Sequence, residues 1–223
     1  MNLLRIGTKI PERYDVTEKS ARGRPRQYDV RAALGAALLE FRRRGYTATS
    51  LDHLSEATKM ARPSLYAAFG SKRDIYLRAA AQFAGDSVER RDRALFDEPS
   101  LPKALDSYFA TLVAIYSEGD ERPLGCPVLS VITGEATADP VIGAELAAAL
   151  SRTDARFCQR IAAARDAGQL PPSTDIDAVA DMLAALQHSL AQRARAGTAL
   201  PELERIARNS VALTLKAAGA REP

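Results

Sequence analysis

Residues 50–73 read SLDHLSEATKMARPSLYAAFGSKR, and the rest of the chain is organised around them. Leu51 and Leu54, spaced i and i+3, give a first short helix one apolar face. Ser50 stands just before that run, where its side chain can accept a hydrogen bond from an otherwise unpaired backbone N–H. Thr58, Lys59 and Met60 break the period, and a lone apolar residue in a polar turn is expected to point back into the core. Leu65 and Phe69, spaced i and i+4, face inward from a second helix that starts near Arg62-Pro63, because proline suits the first helical turn. Arg62, Ser64, Tyr66, Ala67 and Ala68 are left facing outward. Two short helices joined by a tight turn, the second with a small, polar and basic outer face, make a helix-turn-helix. Pairs of this kind also occur in proteins that never touch DNA, so the pattern alone leaves the function open.

The residues just upstream supply a support for that pair. Val30, Ala33, Leu34, Ala37, Leu38 and Phe41 form a single helical stripe behind the capping residue Asp29. Arg42, Arg43 and Arg44 fall in the last turn, where positive charge complements the helix dipole; they are expected to form a solvated end before Gly45 stops the helix. Residues 1–27 carry no sustained period and read as a basic flexible arm ending in Arg22-Gly23-Arg24-Pro25-Arg26. The arm is either a solubilising tail or a segment whose Arg24 and Arg26 meet phosphate or the minor groove. Residues 1–73 hold 15 Lys/Arg against 7 Asp/Glu, a net +8, whereas the remainder holds 16 against 21, a net −5. A basic first third on an acidic body points to a polyanionic partner for the first part only.

The order Gly45-Tyr46, Thr49-Ser50-Leu51, Leu65-Tyr66-Ala67-Ala68-Phe69 and Ser71-Lys72 resembles the DNA-binding domain of the TetR family of bacterial regulators, over about residues 28–77. Two positions depart from the family pattern: Lys59 stands where glycine is usual, and Ala61 where a Ser or Thr cap is common. The resemblance implies a homodimer on double-stranded DNA carrying an inverted-repeat operator, and release by a small hydrophobic effector. It implies an all-α fold: an N-terminal three-helix helix-turn-helix domain (28–77), then a helical effector-binding and dimerisation domain (78–223). The DNA contacts expected on that basis are Arg24, Arg26, Thr49, Ser50, Arg62, Ser64, Tyr66, Ala67 and Lys72. Arg62 and Lys72 would meet phosphates, Arg62 alternatively a guanine edge. His53, on the outer side of the first helix of the pair, is a further candidate for the backbone.

Beyond the pair, Ser71 is expected to cap a connector helix through Ile75, Ala79 and Phe83. A loop at 97–100 and a helix over 101–117 follow. Residues 125–138 suit a strand by composition, but a lone strand has no partner, so a buried short helix is expected there. Asp139-Pro140 opens a long helix to about Ala167, and two more run over about 175–196 and 201–218. Both of these last helices carry two apolar faces. Intrachain packing is one explanation; with the resemblance, a dimer interface through Ala180, Ala184, Leu186, Ala191, Ala207 and Val211 is the expectation. Tyr108, Tyr116, Cys126, Phe157 and His188 are the candidates to line an effector pocket. Few carboxylates lie near that set, which favours a neutral or anionic hydrophobic ligand.

The composition excludes several classes. The chain is 46% apolar over 223 residues, enough for a sizeable core. No run of eighteen apolar residues or signal-like apolar segment occurs, so we expect a soluble cytoplasmic protein with no membrane partner. Two cysteines far apart and two histidines make no metal-ligand spacing, and no metal or cofactor is expected. Both cysteines, Cys126 and Cys158, are expected as buried thiols. No catalytic or nucleotide-binding signature appears, so an enzyme is not expected. A ligand-responsive repressor is the reading; an effector-independent DNA-binding protein is the alternative, and a helical enzyme a distant third.

Overall fold

Asp29 starts the first helix through its side chain. In the computed structural model, which describes residues 28–220, its carboxylate accepts from the backbone N–H of Arg31 at 2.8 Å and of Ala32 at 3.2 Å. That satisfies two of the donors a helix start leaves open. The helix, α1 (Val30–Arg44), buries Ala33, Leu34, Ala37, Leu38 and Phe41. Arg42 departs from the expected solvated end. It is buried, and its guanidinium carbon lies 5.8 Å from the centre of the Phe83 ring, a cation–π geometry that lets the stem fill space while the charge meets the ring face. Arg43 and Arg44 stay at the surface, Arg44 paired with Glu40.

The paired short helices follow as α2 (Leu51–Thr58) and α3 (Arg62–Phe69), and then the long α4 (Lys72–Phe96). Ser50 Oγ accepts from the His53 backbone N–H at 3.2 Å, and His53 Nδ1 accepts from the Ser50 N–H at 3.1 Å. This is a reciprocal capping box with histidine in place of the usual Glu or Gln. At the other end, Met60 N–H donates to Ser55 O (3.2 Å) and Lys59 N–H to Glu56 O (3.4 Å). That bonding closes a helix through a left-handed residue. Lys59 is that residue, at φ 57°, the sole non-glycine with positive φ among the described residues. Met60 turns into the core, as expected. Ser71 and Asp74 cap α4 reciprocally, Ser71 N–H donating to Asp74 Oδ2 at 2.9 Å and Asp74 N–H to Ser71 Oγ at 3.3 Å. The Ser71 hydroxyl bonded to it holds the Asp74 carboxyl below its ordinary pKa.

The chain divides into two compact units, one ending at Ser87 and one starting at Val88, with the boundary inside α4. The division expected after residue 77 lies earlier on the same helix. In the first unit, Leu34, Phe41, Leu54, Leu65, Phe69 and Ile75 are buried together with Tyr76. Phe41, Tyr46 and Tyr76 form a three-ring cluster with centroid separations of 5.3–5.8 Å, which fixes the loop after α1 against α4.

The second unit adds α5 (Leu101–Ser117), α6 (Pro140–Asp166), α7 (Ile176–Arg195) and α8 (Leu200–Ala217). α5 packs on α8, α6 on α7, and α7 on α8. Tyr108, Phe109 and Phe157 meet in ring contacts in its core. The start of α5 is satisfied from a distance. Ser100 gives no side-chain cap; Gln169 Oε1 accepts the Leu101 N–H at 2.7 Å instead. Arg160, buried, donates to the carbonyls of Leu95, Glu98 and Pro99 at 2.9–3.2 Å, so the end of α4 and the following loop are tied to α6. Residues 127–138 form consecutive turns rather than the expected short helix. Bonds such as Ser130 N–H to Cys126 O (2.9 Å) are helical in span, but the run never extends into a regular helix. Gly125 explains part of this: at φ 72° it lies against α7 so closely that a Cβ would stand 2.4 Å from Ala191 O. Among the described residues no strand occurs.

Candidate nucleic-acid interface

The outer face of α3 carries what the residue pattern assigns to it. Leu65 and Phe69 are buried, while Arg62, Pro63, Ser64, Tyr66 and Ala67 are exposed, Tyr66 by half of its surface. Pro63 in the first turn offsets the lack of a side-chain cap at Ala61 only in part, since Ala61 leaves the first N–H groups of α3 without a side-chain acceptor. Arg62 is held: its Nε donates to Asp52 Oδ1 at 2.5 Å, and its Nη2 donates to the same oxygen. The Arg62 hydrogen bond lowers the Asp52 pKa, and the pair correspondingly raises that of Arg62.

The other residues assigned to DNA divide into three groups. Ser50 is exposed at the start of α2, with its hydroxyl oxygen in the capping box. Thr49 is a correction: it is fully buried, and its hydroxyl donates to Gly45 O at 2.6 Å, so it braces the loop and presents nothing to a partner. Lys72 is half-buried, with Nζ 4.6 Å from the centre of the Tyr46 ring and donating to Thr47 O at 3.3 Å. Its charge is at the α3–α4 corner, anchored on an aromatic face. Arg24 and Arg26 lie outside the described residues. His53 is half-buried in its capping role.

In the second unit, four of the five residues proposed for an effector gather around one the sequence reading missed. Arg91 Nη1 donates to Tyr108 Oη at 3.4 Å, and Tyr108 Oη donates to Gln187 Oε1 at 2.6 Å. Gln187 Nε2 then donates to Thr153 Oγ1 at 3.3 Å. This polar chain runs from α4 through α5 and α7 to α6. Burial works against the Arg91 charge, but Tyr108, Tyr116 and Cys126 interact with it and leave its pKa above the ordinary value. Burial pushes the Tyr108 hydroxyl up, against the pull of Arg91 and Arg156. Phe157 meets the Tyr108 ring at 5.2 Å. His188 is set apart: its pKa is lowered by half-burial and opposed by Asp154, and its Nε2 has no hydrogen-bond partner. Arg91 continues the spacing-of-four row Ile75, Ala79, Phe83, Ser87 on α4, a signal present in the sequence. Cys126 and Cys158 are half-buried rather than buried. Burial raises the Cys158 thiol, with Asp177 beside it adding to the rise. A shallow groove of about 450 Å³ is lined by Arg90, Arg93, Ala110, Thr111 and Ala114, none of them a proposed effector residue.

The six residues assigned to a partner subunit need correction. Ala180, Ala184, Leu186, Ala191, Ala207 and Val211 are all buried within the single chain, so they pack α7 and α8 inside their own unit. The exposed apolar residues on these helices are others: Met182 at 60% and Leu213 at 69%, with Ala178, Ala185 and Ala212 beside them. Both helices are two-sided, but the sequence reading assigned their inner face to the partner.

Known proteins resemble the chain in both its N-terminal and its C-terminal parts. Residues 33–79 match the family model described as bacterial regulatory proteins, tetR family, and residues 103–209 match the tetracyclin repressor-like C-terminal domain. The chain is 32% identical over 200 residues to the HTH-type transcriptional repressor ComR of Escherichia coli, covering 87% of this chain and 93% of ComR. It is 30% identical over 127 residues to the repressor BdcR of the same organism, covering 56% of this chain and 62% of BdcR. Among solved structures, a cysteine mutant of the TetR family regulator CifR in complex with 26-bp operator DNA superposes with a TM-score of 0.76 at 30% identity, covering 85% of this chain and 98% of that one. Among the described residues no helix is long and apolar enough to cross a membrane, and no group of three or more His, Cys, Asp or Glu is placed to hold a metal ion. With exposed α3, a capped α2 and an all-α body of the same kind, the chain belongs to the TetR family of bacterial transcription regulators, as a DNA-binding regulator and not an enzyme.

Proposed function

We propose that the protein is a ligand-responsive repressor that binds an inverted-repeat operator as a homodimer and leaves it when a hydrophobic effector binds the second unit. The observation that carries the reading is the outer face of α3, where Arg62, Ser64, Tyr66 and Ala67 are exposed over a buried Leu65 and Phe69. A single eight-residue helix covers too little surface for specific binding at physiological salt. Two copies related by a twofold axis would occupy successive major grooves about 34–36 Å apart. The outward faces of α7 and α8, with Met182 and Leu213, supply the surface for that pairing. Residues 28–77 serve as the reading domain and 78–223 as the domain for dimerisation and effector. ComR and BdcR are repressors, and CifR is seen on operator DNA, which supports repression as the sign of the response.

The effector is assigned to the cluster of Tyr108, Tyr116, Cys126 and Phe157, with Arg91 suited to an anionic head group. Selection from randomised duplexes should return an inverted repeat bound by a dimer, and recovery of single half-sites by a monomer would overturn the dimeric reading. A thermal-shift screen of hydrophobic small molecules, followed by operator titration with each hit, tests the response. A ligand that stabilises the protein but leaves operator affinity unchanged would favour the effector-independent alternative.

A further inference from the structure

Asp52 is an exposed carboxylate in the first turn of α2, close to the residues assigned to DNA, and its charge repels phosphate. It nevertheless holds Arg62, the first residue of α3, across the turn between the two helices. The geometry of the hold is specific. Nε and Nη2 both donate to Asp52 Oδ1, so the carboxylate takes one side of the planar guanidinium. A guanidinium has five N–H donors in a fixed fork. The end formed by Nη1 and the second Nη2 hydrogen is directed away from Asp52. Two such parallel donors match O6 and N7 of guanine in the major groove.

A phosphate gripped by that same end would be drawn in next to the Asp52 carboxylate, and the two anions would repel. A base edge is neutral and carries no such penalty. We propose that Asp52 is a positioning residue that orients Arg62 as a reader of guanine, so that this pair sets one base of each half-site. The inference rests on the proposal that α3 enters the major groove, and it deepens that proposal by choosing between the two contacts open to Arg62. The competing explanation is an ordinary exposed ion pair, which contributes little to anything.

The test is binding-site selection with the full chain, followed by affinities for the selected duplex and for each single-base variant over a range of salt. The wild type, Asp52→Asn, Arg62→Ala and the double variant are compared, with circular dichroism confirming equal helicity. If Asp52→Asn loses helicity, Asp52→Ser takes its place. The wild type should prefer guanine at one position per half-site by roughly 5- to 150-fold. Arg62→Ala should erase that preference. Asp52→Asn should remove most of it at the same position alone, while binding of unrelated duplexes tightens as a negative charge is lost. The double variant should match Arg62→Ala in base preference, with the tighter general binding that follows from the lost Asp52 charge. Asp52→Glu, which restores the charge, should recover part of the preference. An Asp52→Asn protein with unchanged base preferences overturns the proposal. So does an Arg62→Ala protein weakened on all duplexes alike, with a salt slope reduced by about 0.9, the signature of one lost phosphate contact. A wild type that selects no sequence would instead overturn the placement of α3 in DNA, on which this depends.

Discussion

Replacing Leu213 by glutamate should turn the protein into a folded monomer. Leu213 is 69% exposed and Met182 60% exposed, whereas the opposite sides of their helices are buried. Complete burial of a leucine or methionine side chain is worth about 1.5–3 kcal/mol, so covering the remaining two-thirds of Leu213 recovers about 1–2 kcal/mol. A twofold interface uses the residue twice, so its share is roughly 2–4 kcal/mol per dimer. That corresponds to a factor of roughly 30 to 1,000 in the dissociation constant. Leu213→Glu forfeits this and would bury a carboxylate on each side of the interface, so the shift should lie at or beyond the upper end. Sedimentation equilibrium across the micromolar range measures it, with circular dichroism as the control for folding. Leu186→Glu provides the contrast. Leu186 is already covered by its own chain, so a charge there should unfold the second unit rather than release intact monomers. A wild type that is monomeric at micromolar concentration, or a Leu213→Glu protein that dimerises as tightly as the wild type, would refute the reasoning.

Further outcomes follow from single sites. Lys59→Gly should stabilise the first unit by about 0.5–1 kcal/mol, because the left-handed cost of lysine slightly exceeds the extra chain entropy of glycine; thermal unfolding by circular dichroism measures it. Ala61→Ser should add about 0.5–2 kcal/mol by capping α3, read in the same way. Tyr108→Phe leaves Gln187 Oε1 without its donor, and should cost about 1–3 kcal/mol in urea unfolding of the second unit. His188 has a folded pKa below its unfolded value of about 6.5. The unfolded chain therefore binds its proton first, and stability should be complete above that pH and fall as pH drops below it. His188→Leu should flatten this part of the pH–stability profile, and an unchanged profile would reject His188 as the source.

What was legible in the sequence is what depends on neighbours along the chain. The stripe of α1, the caps at Asp29 and Ser50, the entry of α3 at Arg62-Pro63 and the stop at Gly45 are local signals, and each helix that forms lies within a residue or two of its expected bounds. Three of the features that were not legible share a common reason. Thr49 looks like a phosphate donor beside a helix start, but its hydroxyl finds Gly45 O one turn back. Arg42 looks like solvated charge until Phe83, some forty residues on, folds over it. Helices α7 and α8 have two apolar sides, and only their packing on α5, α6 and each other decides which side remains exposed. Alanine is poor evidence here, because it fits an intrachain seam and a subunit seam equally well.

The state of the second unit also bears on the sign of the proposed response. Tyr108, Tyr116 and Phe157 are at most 2% exposed, so their rings are packed with no room for a ligand among them. An effector at this cluster therefore binds a second arrangement in which the rings have parted, and its apparent affinity is reduced by the fraction of molecules in that arrangement. Arg91 belongs to α4, the helix that also begins one residue after Ser71 at the end of the reading pair, so parting the rings acts on a segment common to both units. A ligand changes DNA affinity only as far as the packed and parted arrangements differ in DNA affinity. Reciprocally, operator DNA weakens the ligand by the same factor, ordinarily about 5- to 150-fold. If the packed arrangement is the one that binds operator, the ligand-free protein occupies its site without assistance and the ligand removes it. That is the logic of an inducible repressor. A corepressed regulator would share the packed ligand-free core but bind operator in the parted arrangement, so operator titration with and without ligand separates the two.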